Sequence, residues 1–297
     1  MTSSANLRVL YVDAFTDKAF GGNTAGVVLV PYGTNLSEDV MQKIASELSL
    51  PMTAFVMPKS SETAACKQYT LVWFSPRGRA LFCGHATLAA GHVIFNVVQI
   101  SPNCTIEFDS PAGPLGANLV DGKVTLCLPS NPPEQIQPDQ QHLALLGGLF
   151  SNHDLQSKRF SFYHSETARA VLVLLENTSA QELESLEFVD SPQVAAARKA
   201  LGVHAAIFVA YSDGKWDSVA RVFNIDSSSL IEDQVTGSAH TVIAPLFKTL
   251  FGKRQLRAHQ CSKRKGDLFV ELADDDSDAT VTIRGSAVTI LDGTLSI

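Results

Sequence analysis

The segment around Cys83, Gly84 and His85 carries a thiol and an imidazole on either side of a glycine. A β-like run precedes it and a helix-length apolar segment follows it, so these residues fall at the predicted start of a helix. The first backbone N–H groups of a helix lack intrahelical partners and are partially positive, which suits an anion. The imidazole and the thiol can also move protons. The alternative is a buried helix whose Cys83 and His85 only pack.

A second polar segment, residues 233–240, precedes another apolar helix. It begins with the carboxylate of Asp233 and continues through Thr236, Gly237 and Ser238. An Asp ahead of a helix is commonly a residue that only interacts with the helix dipole, and this interpretation stays open beside a catalytic one. Two positive helix N-termini could converge on one cleft between domains, a common place for a ligand.

These segments predict central buried helices near residues 85–97 and 238–251, because a helix that is apolar on nearly every face must be enclosed by other elements. The same order of elements (helix, strand, strand, glycine turn) precedes each of them. The offset between Phe55 and Phe208 equals the offset between Gly84 and Gly237. A shared offset indicates an internal duplication and therefore two similar α/β domains.

The remaining pattern predicts shorter elements. Helices are expected after the capping residues Ser37 and Ser191. The Pro- and Gly-rich stretch 109–133, around one predicted strand at 124–128, is interpreted as a passage between domains. The acidic run 274–276 is interpreted as a solvated loop. The other predicted strands are 9–15, 25–30, 53–57, 69–74, 170–175, 206–211, 219–225, 268–272 and 280–291.

Composition narrows the class of protein. The chain has 297 residues, of which 45% are hydrophobic, enough for two cores. A net charge of -7 argues against nucleic acid or an anionic membrane as the main partner. The five scattered cysteines include no CxxC pair, which indicates a reducing compartment and neither a disulfide framework nor a zinc site. With no signal-peptide pattern and no apolar span of membrane length, a cytoplasmic location is expected.

Several motifs, in order along nearly the whole chain, resemble those of the phenazine-biosynthesis PhzF-like family of the diaminopimelate epimerase and proline racemase superfamily. The motifs lie at 13–17, 22–23, 53–56, 73–76, 83–89, 233–240 and 287–291. The resemblance implies an α/β (α+β) fold with two similar domains, each a β-sheet barrel wrapped around a central buried helix. We assign residues 1–116, completed by 285–297, to the first domain and residues 117–284 to the second.

The resemblance also implies a function. Such proteins isomerise a small carboxylated metabolite by proton transfer, usually as homodimers, and no cofactor or metal is expected. His85 and Asp233 match the family's polar active-site residues, and Cys83 is a third candidate catalytic group. The residues predicted to bind substrate are Gly84, Gly237, Ser238, Met52, Asn23 and Arg79.

The chain departs from the family pattern at three positions. Met52 stands where the family has its proton-shuttling glutamate, and a thioether takes up no proton at neutral pH. Arg79 stands where an acidic residue is common; it is either merely exposed or a permanent cation that favours an anionic substrate. Val235 occupies the place of the second cysteine of the two-thiol racemases, so inversion by paired thiols is not expected.

Three functions remain open at this stage. The first is a PhzF-like isomerase with acid/base chemistry rebuilt around His85, Asp233 and Cys83. The second is a catalyst that folds a reactive molecule for cyclisation or rearrangement by positioning and hydrogen bonding, without a strong base. The third is a non-catalytic binding protein derived from an enzyme.

Overall fold

The structure is a computed structural model of the chain and describes residues 6–60, 67–149, 159–212, 214–225, 230–273 and 279–297. The predicted acidic loop at 274–276 and Cys66 lie outside these ranges. The described residues form a mixed α/β fold that is mostly sheet. They divide into two compact units, residues 1–128 with 282–297, and residues 129–281. Among the described helices, none has the length and apolar character needed to cross a membrane.

Among the described residues, the first unit contains two helices, nine strands and the end of a tenth, residues 282–285 of Thr280–Gly285. The elements are β1 (Asn6–Ala14), β2 (Asn23–Leu29), α1 (Glu38–Leu48), β3 (Met52–Pro58), β4 (Lys67–Ser75), β5 (Gly78–Ala80), α2 (Gly84–Asn96), β6 (Ile106–Ser110), β7 (Gly113–Val120), β8 (Lys123–Pro129) and, from the C-terminus, β18 (Ala287–Ser296). β18 pairs antiparallel with β1, so the last strand lies in the first unit.

The second unit contains the remaining elements. They are β9 (Glu134–Ile136), α3 (Gln140–Leu149), β10 (Phe160–Ser165), β11 (Ala170–Leu175), α4 (Ala180–Ser185), α5 (Pro192–Leu201), β12 (Ala205–Tyr211), β13 (Ser218–Ile225), β14 (Leu230–Asp233), α6 (His240–Phe251), β15 (Gln255–Gln260), β16 (Gly266–Leu272) and β17 (Thr280–Gly285).

The two units repeat one topology. In the first, β1 and β2 are antiparallel, β2 and β3 are parallel across α1, and β4 pairs with β3, β5 and β6. In the second, β10 and β11 are antiparallel, β11 and β12 are parallel across α4 and α5, and β13 pairs with β12, β14 and β15. Phe55 on β3 and Phe208 on β12 occupy corresponding places, which agrees with the duplication inferred from the sequence.

Each unit has a helix that is buried along most of its length. Every residue of α2 is buried except His92 and Asn96. His92 Nε2 lies 3.1 Å from the hydroxyl of Thr289, which ties α2 to β18. α6 is buried from His240 to Phe247, and its last turn is more exposed. Both helices start within two residues of the predicted bounds. Their burial is what their all-round apolar character requires.

The Pro- and Gly-rich stretch after residue 109 is folded into hairpins. β7, which the sequence did not predict, pairs antiparallel with β6 and with β8. Gly113 (φ 92°) and Gly122 (φ 72°) supply the left-handed conformations that tight turns demand. Because β7 and β8 continue this sheet, the first unit extends to Leu128, beyond the boundary assigned at residue 116.

Gly22 gives a testable constraint on the turn that precedes β2. Its φ is +61°, and a Cβ there would lie 2.0 Å from the carbonyl oxygen of Ala14. We expect Gly22→Ala to lower the free energy of unfolding by more than about 1 kcal/mol, because the backbone must shift. Urea denaturation measures the change.

The matched control is Gly116→Ala on β7, where an added Cβ would meet nothing within 4 Å. This variant should stay within about 0.5 kcal/mol of the wild-type protein. Equal stabilities of the two variants would contradict the assigned turn conformation.

Candidate functional site

The first turn of α2 gathers three polar groups. Cys83 is the extended N-cap residue, and its carbonyl accepts hydrogen bonds from the N–H and the hydroxyl of Thr87 (3.0 and 2.7 Å). His85 is buried, with 8% of its surface exposed. The Cys83 Sγ atom lies 3.4 Å from His85 Nδ1 and 3.9 Å from Nε2. The sequence-predicted thiol and imidazole are therefore in contact.

Asn23 is the third member of this group. It begins β2, is fully buried, and places its side-chain Nδ2 atom 3.3 Å from His85 Nδ1. An amide nitrogen can only donate, so Nδ1 is the acceptor and the neutral imidazole carries its proton on Nε2. Asn23 therefore orients His85; that Asn23 also touches substrate stays a prediction.

The segment that leads to Asn23 is held by Asp13. This carboxylate is fully buried on β1. Its Oδ1 atom accepts the hydroxyl of Thr24 (2.5 Å) and its Oδ2 atom accepts the N–H of Phe20 (2.8 Å). Hydrogen bonds to an ionised group are among the stronger ones, so both ends of the turn before β2 are fixed.

Met52 lies at the same end of the sheet. It is the first residue of β3 and is paired with Ala25, two positions after Asn23. Side chains alternate along a strand, and Phe55 packs in the cluster that contains α1 residues. Met52 and Ala54 are therefore on the opposite face, and α2 packs against this sheet. The partly buried thioether adds an apolar surface there.

The structure does not bring Arg79 to this group. On β5, Arg79 is paired with Phe74, which packs with α1 residues. Its guanidinium forms an ion pair with Glu38 at the start of α1, and 38% of the side chain is exposed. Of the two interpretations that the sequence left open for Arg79, an exposed side chain or a cation near the substrate, this ion pair favours the first.

In the second unit, Asp233 ends β14 and begins a tightly held turn. Its Oδ2 atom accepts the hydroxyl of Thr236 (2.6 Å). Gln260, on β15, is fully buried and bridges the same turn. Its Nε2 atom donates to the Asp233 carbonyl (2.6 Å) and its Oε1 atom accepts the Thr236 N–H (2.8 Å). The backbone and the carboxylate of Asp233 are thus both fixed.

Gly237 and Ser238 lie in the turn that starts α6. The N–H of His240 donates to the Gly237 carbonyl, and the N–H of Thr241 donates to the Ser238 carbonyl. Ser238 is exposed, whereas Gly237 is buried. Pro245 within α6 cannot donate to the carbonyl of Thr241; this carbonyl accepts the N–H of Asn131 instead (2.9 Å).

His240 is a buried base without exposure to solvent. Its Nδ1 atom donates to the Thr236 carbonyl (2.9 Å), and within the described residues its Nε2 atom has no hydrogen-bond partner. Burial disfavours the charged form and lowers the pKa of His240 to about 4, although the Thr236 contact acts the other way. His240 is therefore a neutral structural support of the turn.

The site residues thus form one group in each unit. Cys83, Gly84, His85, Asn23 and Met52 are at one end of the first unit's sheet, and Asp233, Gly237 and Ser238 share one turn in the second. Gln260 was missed, because nothing in its local sequence distinguishes it from a surface glutamine. Thr236 was weakly indicated by the sequence, because it stands three residues after Asp233 in the polar segment before α6.

The comparisons define first the class of the fold. The structure matches a PhzF-family protein of Enterococcus faecalis with a TM-score of 0.81 and 28% identity, over 99% of this chain and 100% of that one. It also matches a hydroxyproline epimerase of Agrobacterium vitis with a TM-score of 0.59 and 12% identity, over 100% and 94%. The second match shows the fold alone. The fold is that of the PhzF proteins and the epimerases and racemases.

The sequence comparisons then give the family. Residues 12–293 match the phenazine biosynthesis-like protein (PhzC-PhzF) family, and the chain belongs to it. A mouse phenazine biosynthesis-like domain-containing protein is 33% identical over 98% of this chain and 99% of its own length. A Halalkalibacterium halodurans protein named as an uncharacterized isomerase is 31% identical over 95% of this chain and 96% of its own.

Buried His240 predicts a pH dependence of stability. The folded protein leaves this imidazole neutral down to about pH 4, whereas an unfolded His binds a proton below about 6.5. The unfolded state thus binds more protons between these values, so the contribution is complete above pH 6.5 and is lost as the pH falls toward 4. The loss should approach about 3 kcal/mol.

Urea denaturation at several pH values, with His240→Gln as the control, isolates this contribution. The wild-type protein should lose more stability than the variant between pH 6.5 and 4. Parallel pH profiles would show that His240 does not titrate as its burial requires.

Proposed function

We propose that the protein is a cofactor-independent isomerase that moves a proton between carbon atoms of a small carboxylated metabolite. The observation that carries the proposal is the buried group of Cys83, His85 and Asn23 at the first turn of α2. The isomerase names of relatives over nearly the whole chain support it.

In the proposed reaction, the Asp233 carboxylate accepts a proton from a C–H bond that a neighbouring carboxylate acidifies. The protonated Asp233 then gives a proton to another carbon of the same molecule, so no atom is gained or lost, while His85 donates a hydrogen bond from Nε2 to the charge that develops on the substrate. Exchange of the Asp233 proton with water before this return brings deuterium into the product in D2O. The Cys83 thiol, 3.4 Å from His85 Nδ1, is a further proton-carrying group in contact with this imidazole.

We propose that the starts of α2 and α6 face one interdomain cleft. The backbone N–H groups at Gly84 and Gly237 and the hydroxyl of Ser238 would hold the substrate carboxylate, since helix N-termini favour anions. Met52 and Asn23 would line the same cleft. Arg79, which pairs with Glu38, has no part in it, and the expected assembly is a homodimer.

Met52 favours a second candidate function. With a thioether at the position of the family glutamate, the cleft could accelerate a rearrangement by positioning and hydrogen bonding alone. Turnover that survives Asp233→Asn would support this candidate over the isomerase.

Deuterium exchange tests the isomerase. We would incubate the protein in D2O with vinylacetate, L-glutamate and trans-4-hydroxy-L-proline, which all carry a C–H bond beside a carboxylate, and follow the loss of proton signals by NMR. We expect exchange into at least one probe. His85→Asn and Asp233→Asn should each reduce its rate about 100-fold or more, as expected when a general base or a hydrogen-bond donor to the developing charge is removed.

The control variants are His164→Asn and Asp109→Asn, because these side chains are partly or largely exposed and have Glu166 and Lys59 as their ion-pair partners. Both should keep the wild-type rate. Tight binding of a probe without exchange or turnover would contradict the isomerase and favour a binding protein.

Met52→Glu tests the effect of having methionine where the family has its glutamate. A carboxylate there would be partly desolvated, with a raised pKa. We expect it to weaken binding of the exchanged probe by about 1–3 kcal/mol, because desolvation is costly and the probe is itself anionic. Isothermal titration calorimetry measures the affinity.

Met52→Gln is the matched control, since it has nearly the same shape without the charge. The difference between the Glu and Gln variants isolates the carboxylate. A faster exchange in Met52→Glu than in the wild-type protein would show instead that the native site lacks a base which the glutamate restores.

A further inference from the structure

Gln260 is the last residue of β15 and lies where two strands of the second unit share one edge of β13. One edge of β13 is shared by two strands: Ala220 is paired with Gln260 of β15, and Val222 is paired with Asp233 of β14. Only Arg221 of β13 separates the two pairs. The end of β15 therefore meets the end of β14, where the chain turns toward α6.

The Gln260 amide satisfies backbone groups at both ends of this turn. It donates to the Asp233 carbonyl and accepts the Thr236 N–H, with an additional 3.4 Å approach of its Nε2 atom to the Thr236 hydroxyl. That hydroxyl in turn donates to the Asp233 carboxylate (2.6 Å). One amide thus controls the backbone of Asp233 directly and its carboxylate through Thr236.

Two neighbouring side chains hold the rest of the turn. The hydroxyl of Ser262 donates to the Gln234 carbonyl, and His240 Nδ1 donates to the Thr236 carbonyl. Neither contacts Asp233 through these bonds. Gln260, which is fully buried, is the described side chain that joins the carbonyl of Asp233 to the N–H of Thr236.

We infer that Gln260 is a positioning residue that fixes the carboxylate of Asp233 for proton transfer. The inference rests on the proposed function, in which Asp233 is the base. Gln260 does not touch substrate; it acts through the turn 233–236. Small displacements of a reacting group, of about 1 Å, can cost about 100-fold in rate, so loss of this bridge should reduce catalysis more than binding.

Hydrogen–deuterium exchange of backbone amides tests the bridge without a substrate. Gln260→Met keeps the length of the side chain and removes both hydrogen bonds. We expect amide exchange in the peptide that covers 233–238 to accelerate about tenfold, because the Thr236 N–H loses its acceptor. Gln255→Met, on the exposed part of the same strand, should leave this peptide unchanged. Unchanged exchange in Gln260→Met would overturn the inference.

A double-mutant cycle on the exchanged carboxylate probe tests the link to Asp233. Gln260→Met alone should lower kcat about 10- to 100-fold, with KM changed less than about threefold. In the Asp233→Asn background the same substitution should have almost no further effect, because the group that it positions is gone. A general structural role would lower kcat equally in both backgrounds, and that result would overturn the inference.

The two proposals fail separately. If Asp233→Asn keeps the wild-type rate, the proposed role of Asp233 fails, and the positioning role falls with it. If Asp233→Asn is inactive and Gln260→Met is fully active, only the inference on Gln260 fails. Should Gln260→Met not fold, Gln260→Glu, which keeps the acceptor for the Thr236 N–H and loses the donor to Asp233, carries the same test with a partial effect expected.

Discussion

Each unit depends on a helix that has almost no polar face. Contact of α2 or the first two turns of α6 with water would leave apolar surface hydrated, which is unfavourable. Other elements of each unit therefore enclose these helices. In the first unit, β1, β2, β3, β7 and β18 pack against α2. Neither N-cap residue, Cys83 or Ala239, makes a side-chain cap hydrogen bond. Both helix starts carry a partial positive charge, and in α6 the N–H groups of His240 and Thr241 already donate to the carbonyls of Gly237 and Ser238.

The duplicated topology creates a polar turn ahead of each helix. One edge of β4 is shared between β5 and β6, as one edge of β13 is shared between β14 and β15. In each unit the short first strand of the pair leads into the turn before the buried helix. The side chains in these turns differ: one contains the imidazole of His85, oriented by the amide of Asn23, and the other contains the carboxylate of Asp233, held by the amide of Gln260. The same topology thus presents an imidazole at the start of one buried helix and a carboxylate in the turn before the other.

Most of this fold could be predicted from local pattern, because apolar periodicity and capping residues are local signals. α1 follows its cap Ser37, α5 follows Ser191, and both central helices start close to the expected residues. β7 was missed because its glycines and proline resemble a linker, although they form hairpin turns. For Arg79 the sequence left two interpretations open, and only the strand pairing shows that its side chain lies beside Glu38. The bridge from Gln260 to Asp233 joins residues far apart in the chain, and only the pairing of β13 with both β14 and β15 brings them together.

Met52 limits which residue can act as the base in the proposed reaction. Because the Asn23 amide donates to Nδ1, the proposed reaction uses His85 as a hydrogen-bond donor through Nε2 rather than as a base. The thioether of Met52, at the position of the family glutamate, takes up no proton at neutral pH. In the proposed reaction Asp233 is the base, because it is the one carboxylate among the candidate catalytic residues, so its placement matters more than in a site with two carboxylates. The fully buried side chain of Gln260 fixes the turn that carries this single proposed base.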